Sequence, residues 1–371
     1  MIPACSALPP CPNSRVLPAG SSAPKNASLE PIIYELVISL KKSARLLPAI
    51  FALAGLAIVT GLVIYFGADD VLHVLTSVKL SGFFLYIAAQ LGIVLGLALS
   101  WRMLLRSRNS GSYPLLVWGR LVRDATGEFL PFSQVGGYVL GARVITLAGV
   151  TVPDAIASTI GDVTTEFLAE LVFIGIGLLA LAHLVPSSNL LVPVAIGLCI
   201  AVVMAVGLIL VQRGGGKIFR AIAARLAGAA GEGAIMHMDR LQQSLNNIYA
   251  RHDRLAWSAF FHLICWFGTA TASFIGFHTL GVPLSFTDAI AIEAMLHAIM
   301  ALAFFVPGRV GIQEGAYTLL AGIFGIPPDI ALSLSLLRRA RDFVIAVPVL
   351  LAWQMVEAKR LHKTTSPDLN M

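Results

Sequence analysis

Charge is what this chain has least of: 12% of its 371 residues are Asp, Glu, Lys or Arg, against about 25% in soluble domains. With 57% hydrophobic residues and a mean hydropathy of +0.83, the composition excludes a soluble enzyme and leaves a polytopic membrane protein. Cysteine is also scarce. Cys5, Cys11, Cys199 and Cys265 show no metal-ligand spacing, and two of them lie in apolar runs, which argues against a disulfide framework or a zinc site. No Ser-His-Asp order, HExxH, P-loop or GxGxxG in strand context occurs. Hydrolase, metalloprotease and ATPase readings therefore lack their parts, and the protein is not expected to be an enzyme or to hold a catalytic residue, metal or cofactor.

Apolar segments stand at about 46–66, 80–105, 114–131, 133–149, 155–184, 190–211, 255–280, 286–306, 310–326 and 329–357, against the ~20 residues a crossing helix needs. The fold expected is an all-α polytopic membrane protein with about 8–10 membrane segments. Residues 1–45, rich at first in Pro, Ser and Ala and without signal-peptide features, read as a disordered cytoplasmic tail. Residues 46–357 form the transmembrane domain and 358–371 a second cytoplasmic tail. The net charge of +6 sits in clusters beside apolar segments, which suits membrane headgroups rather than nucleic acid. Lys41, Lys42 and Arg45, then Arg102, Arg106 and Arg108, then Lys359, Arg360 and Lys363 place both termini in the cytoplasm by the positive-inside rule. The basic loop 212–254 joins them there, and its Ile218, Ile222, Leu226 spacing suggests an amphipathic surface helix.

Two glycine-rich segments are short, and each follows a proline. Pro131, Gly136 and Gly137 mark the first, and Pro307, Gly308 and Gly311 the second. All six are expected to break helices, giving two broken or re-entrant hairpins at membrane depth. The two regions also resemble each other: Gly136 and Gly311, like Asp154 and Asp329, lie 175 residues apart. Counting crossings makes the halves, about 80–211 and 255–357, an inverted repeat, the layout of many secondary transporters. Chance likeness between glycine-rich apolar segments is the plainer alternative.

Intramembrane charge is the natural place to look for function. Asp162, Glu166 and Glu170 recur at i, i+4, i+8 and share one helix face. Their expected partners lie on the helix where Arg338, Arg339, Arg341 and Asp342 cluster, either as structural ion pairs or as part of a substrate path. Arg143 lies in the first short segment, and Arg309 and Glu314 in the second. A guanidinium there suits a phosphate or carboxylate headgroup; the alternatives are capping, pairing or, for Arg309, interfacial snorkelling. Arg120, Arg123, Asp124 and Glu128 give 114–131 a polar face. Glu293 and His297, four apart, read as a satisfied buried pair. The residues expected to contact substrate are Arg143, Glu314, Arg309, Asp162, Glu166, Arg338, Arg341 and Asp342.

Four stretches, Trp118-Gly-Arg-Leu-Val-Arg-Asp124, Leu130-Pro-Phe-Ser-Gln-Val-Gly-Gly-Tyr-Val-Leu-Gly-Ala-Arg143, Pro307-Gly-Arg-Val-Gly-Ile-Gln-Glu-Gly-Ala-Tyr317 and Leu336-Leu-Arg-Arg-Ala-Arg-Asp342, together resemble the lysylphosphatidylglycerol synthase transmembrane (flippase-like) family. The likeness is greatest to its hopanoid-associated, HpnL-like branch, without the soluble aminoacyltransferase domain of larger relatives. Tyr138 stands where relatives often place a carboxylate, and Glu128 near where that branch usually has asparagine. The resemblance implies a bacterial inner-membrane lipid flippase or transporter, handling a hopanoid or an anionic phospholipid. The alternative is a non-transporting scaffold for lipid-biosynthesis enzymes.

Overall fold

The computed structural model describes residues 80–105, 111–129, 133–214, 231–303 and 309–365. The tail 1–45, the segment 46–66, Pro131, Pro307, Gly308 and the Ile218–Leu226 stretch lie outside them. Every regular element among the described residues is a helix: α1 (Leu80–Leu104), α2 (Tyr113–Phe129), α3 (Ser133–Thr146), α4 (Val152–Leu184), α5 (Leu191–Gly214), α6 (Gly231–Tyr249), α7 (His252–Thr279), α8 (Phe286–Leu302), α9 (Ile312–Ile323) and α10 (Pro328–Thr365). Four are long and apolar enough to cross a membrane: Leu80–Leu104, Val152–Leu184, Leu191–Gln212 and His252–Thr279. This is a multi-pass membrane protein.

Local chemistry sets the helix starts. Thr151 caps α4 by accepting a hydrogen bond from the Asp154 N–H at 3.3 Å, and Pro153 fits the first turn, where no N–H is needed. At α8, Ser285 and Asp288 form a reciprocal capping box, with bonds of 3.0 and 3.1 Å. Gly311 starts α9 at φ 84°, a conformation that favours glycine. Its N–H donates to Glu314 Oε2 at 2.7 Å.

The first four described helices run 25, 17, 14 and 33 residues; the last four run 28, 17, 12 and 38. In each set a long helix, a short pair and a longer helix follow one another. α1 packs along α7, α2 against α3 and α10, and α4 against α7 and α8. The largest apolar core gathers Phe173, Phe277, Ile292, Met295, Tyr317 and Leu334. A second holds Trp101, Leu116 and Ile145 between α1, α2 and α3. In contrast, only 6% of the apolar stretch of α5 is buried, so most of this apolar helix faces away from the protein core.

Two expectations need correction. Gly136 and Gly137 do not break a helix; they lie within α3. Gly137 instead permits close approach, because a Cβ there would meet the Arg123 carbonyl oxygen at 2.5 Å. The region 212–254 is not merely a surface loop, since α6 buries Leu245, Ile248 and Tyr249 against Leu104 and Ala157.

Candidate functional site

The polar face of α2 turns inward. Arg120 and Arg123, one turn apart, are both buried and grip the two carboxylates of α4. Arg123 donates to Asp162 Oδ2 and Glu166 Oε2, each at 2.5 Å. Arg120 donates to Glu166 Oε1 at 2.6 Å, Asp162 Oδ2 at 3.3 Å and Asp124 Oδ2 at 3.0 Å. The Arg123 guanidinium also lies 4.5 Å from the ring centre of Tyr138 on α3, a cation–π contact. From α7, His262 Nε2 approaches Asp162 Oδ1 at 3.0 Å, and the indole N–H of Trp266 donates to the Glu166 carbonyl at 3.3 Å. Two arginines set among three carboxylates, Asp124, Asp162 and Glu166, make a multiply hydrogen-bonded knot, the condition under which buried ions are tolerated.

Donor atoms of Asp162, Glu166 and His262 lie within 4.8 Å of one another. That spacing alone would suit a cation. The two guanidiniums already occupy those carboxylates at 2.5–3.3 Å, so the residues present do not fit a divalent metal.

A second knot closes among the later helices. Glu293 of α8, fully buried, accepts from Arg338 of α10 at 2.6 Å, from Ser273 of α7 at 2.6 Å and from the Tyr317 hydroxyl of α9 at 3.0 Å. Arg339 pairs with the buried Glu314. Arg341 donates to Asp342 at 2.7 Å and lies 4.7 Å from the Tyr86 ring centre. The stripe Asp162–Glu166 therefore does not pair with Arg338, Arg339 and Arg341, as its spacing had suggested. Each set of charges finds partners nearer in the chain, because α2 brings two arginines within reach of α4 and α8–α9 bring two glutamates within reach of α10.

Between the knots lies a cavity of about 250 Å³. Arg120, Arg123, Asp124, Glu128, Glu166, Arg309, Arg338, Arg341 and Asp342 all contribute to its wall. Beside it is a cavity of about 610 Å³ whose wall surface is mostly apolar, formed by Ile160, Val163, Phe167, Leu208 and Met300 of α4, α5 and α8 together with polar residues that include Glu166 and Glu170. Gln134, Tyr138, Glu166, Trp266, His297 and Arg309 belong to the walls of both. The arrangement is amphipathic: an ion-lined chamber adjoins an apolar one.

Of the expected substrate contacts, the structure gathers Glu166, Arg309, Arg338, Arg341 and Asp342 around the charged cavity. Asp162 sits behind its wall, fully buried. Arg309, at φ 48°, makes no direct ion pair among the described residues. Arg143 is elsewhere: its side chain is 50% exposed and bonds Glu357 at 2.6 Å. Glu314 is also absent from both cavity walls; it caps α9 and holds Arg339. Sequence reasoning missed His262, Trp266, Tyr317 and Ser273. The first two are single polar residues inside the apolar run of α7, and the only signal was their isolation there.

No curated protein matches the chain. A family model matches residues 52–349, which takes in every helix of both knots except the C-terminal end of α10. With its paired intramembrane charges and amphipathic cavities, the chain belongs to the Lysylphosphatidylglycerol synthase TM region family, a family linked to lipid handling.

Proposed function

We propose that this protein carries a lipid with a polar headgroup between membrane leaflets. The observation that supports it is the adjoining pair of cavities, one ion-lined and one apolar. A headgroup held among Arg309, Arg338 and Arg341 would keep its charge matched, while its tail lies against the apolar wall. Leaving such a charge unpaired in hydrocarbon is prohibitive, so lowering that cost is the task of a flippase. The matched helix-length order, with the 175-residue spacing of Gly136 to Gly311 and Asp154 to Asp329, supports two inverted halves whose alternation would expose the cavity to each side. We assign it to a bacterial inner membrane from the family resemblance, with both termini cytoplasmic from its basic clusters. It acts without covalent chemistry. The hopanoid-associated branch supplies one cargo candidate, a hopanoid, and the charged wall supplies the other, an anionic phospholipid.

The test is transfer of labelled phosphatidylglycerol and labelled hopanoid across liposomes containing purified protein. Arg309→Asn removes a charge that makes no direct ion pair among the described residues and keeps a residue that tolerates positive φ. It should slow transfer by about tenfold, the effect of losing about 1.4 kcal/mol of headgroup binding, at an unchanged unfolding temperature. If well-folded wild-type protein moves neither lipid, the scaffold reading replaces this one.

A further inference from the structure

Most carboxylates near the cavities have an arginine. Asp162 and Glu166 face Arg120 and Arg123, Glu293 faces Arg338, Glu314 faces Arg339 and Asp342 faces Arg341. Glu128, beside the like charge of Asp342, lies in the combined field of Arg309, Arg339 and Arg338. Glu170 of α4 differs. Among the described residues its ion-pair partner is His297 alone, whose Nδ1 stands 3.6 Å from Glu170 Oε1. The other ring nitrogen, Nε2, is buried 3.4 Å from Glu293 Oε1 and makes no hydrogen bond.

The imidazole is thus wedged between carboxylates from two helices. Trp266 of α7 covers its ring at 4.4 Å. Behind Glu293 stand Arg338 of α10 and Tyr317 of α9, and Glu166, Tyr138 and Arg309 share the cavity walls with His297. Arg338 already neutralises Glu293. A neutral imidazole then leaves Glu170 uncompensated, whereas one proton on the pair balances the group. His297 faces both cavities, and Glu170 faces the apolar one.

We propose that the His297–Glu170 pair binds one exchangeable proton, and that this proton is the coupling ion for movement of an anionic phosphate headgroup held in the adjoining charged cavity. The proposal rests on the transport reading above and adds its energy source. Protonation adds one positive charge at the wall the two cavities share, which favours an anion in the charged one. By reciprocity, an anionic headgroup strengthens the pair's hold on the proton. The two then cross together, and a neutral lipid gains nothing from the proton. Glu314 cannot serve this role, since Arg339 and the Gly311 N–H occupy its carboxylate.

The experiment uses liposomes with an entrapped pH dye, labelled phosphatidylglycerol and the full-length protein. An imposed pH gradient should speed lipid transfer about fivefold or more, at the lower end of ordinary coupling, with protons entering alongside the lipid. His297→Gln and, independently, the half-buried Glu170→Gln should each abolish both the acceleration and the proton entry. Lipid transfer that ignores the gradient, or that brings no protons, overturns the proposal and leaves the transport reading standing. Coupling that survives in both folded variants overturns the assignment to this pair. Absence of lipid transfer under every condition overturns the transport reading, and the proton site with it.

Discussion

At Asp162 of α4, side chains from two other helices meet on one carboxylate: Arg120 and Arg123 of α2, and His262 of α7. Removing one member of a buried ion set leaves its partner charged in a dry site, a loss of about 3–5 kcal/mol. Asp162→Asn is therefore expected to lower the unfolding temperature in detergent sharply. Adding Arg123→Met should recover part of that loss, because Arg120 can still balance Glu166. Strict additivity of the two would show that the side chains do not interact. Glu314 permits a finer test. Glutamine there can still accept the Gly311 N–H, and alanine cannot, so Glu314→Ala should be less stable than Glu314→Gln by about 1 kcal/mol, the net value of one hydrogen bond. Equal stabilities would remove the cap from the explanation of why α9 starts where it does. At this scale the sequence was half legible. The spacing of Asp162, Glu166 and Glu170 revealed a shared face, and the four-residue steps from Arg120 to Glu128 revealed another. Which face met which depended on helix neighbours and rotation, and a count of charges holds neither. Arg143 shows the limit: an arginine in a glycine-rich segment looked central, yet its side chain ends beside Glu357.

Among the elements, α2 and α3 cross closely near the site, with the backbone of Arg123 against Gly137. Gly136, its neighbour, is a built-in control: a Cβ there would meet only Thr126 Cγ2, at 3.9 Å. Gly137→Ala should push α2 and α3 apart and cost about 1–3 kcal/mol, as overpacking does. Gly136→Ala should be neutral or stabilising by up to about 1 kcal/mol through helix propensity. Thermal unfolding of the two variants side by side decides it, and equal losses would show that the crossing is looser than described. The helices themselves were readable in advance. Apolar runs at 80–105, 155–184 and 190–211 correspond to α1, α4 and α5, since long apolar stretches leave the backbone few alternatives in lipid. The paired glycines misled for a physical reason: two glycines in sequence signal a break, a kink or a close contact, and only the packing partner distinguishes them. Pattern also failed at α6, whose polar sequence concealed the few apolar residues that dock it to α4.

For the whole molecule, exposure to lipid and burial in protein are separable. Cys199 on α5 is exposed and Cys265 on α7 is buried. With Cys5 and Cys11 replaced, a membrane-soluble maleimide should label Cys199 and leave Cys265 unmodified, and a membrane-impermeant one should label neither. Labelling of Cys199 by the impermeant reagent would place α5 in water and undo its reading as a lipid-facing helix. The charge knots bear on how the chain is made. α2, with Arg120 and Arg123, leaves the ribosome before the carboxylates of α4 that neutralise it, and each lone arginine at a helix centre costs about 2.5–3.5 kcal/mol to insert. α2 is thus poorly suited to entering the bilayer on its own account, and a nascent chain halted before Asp162 would leave it outside. On that reckoning its integration would await α4, and the order of translation, as well as the finished packing, would decide when these arginines become part of the membrane.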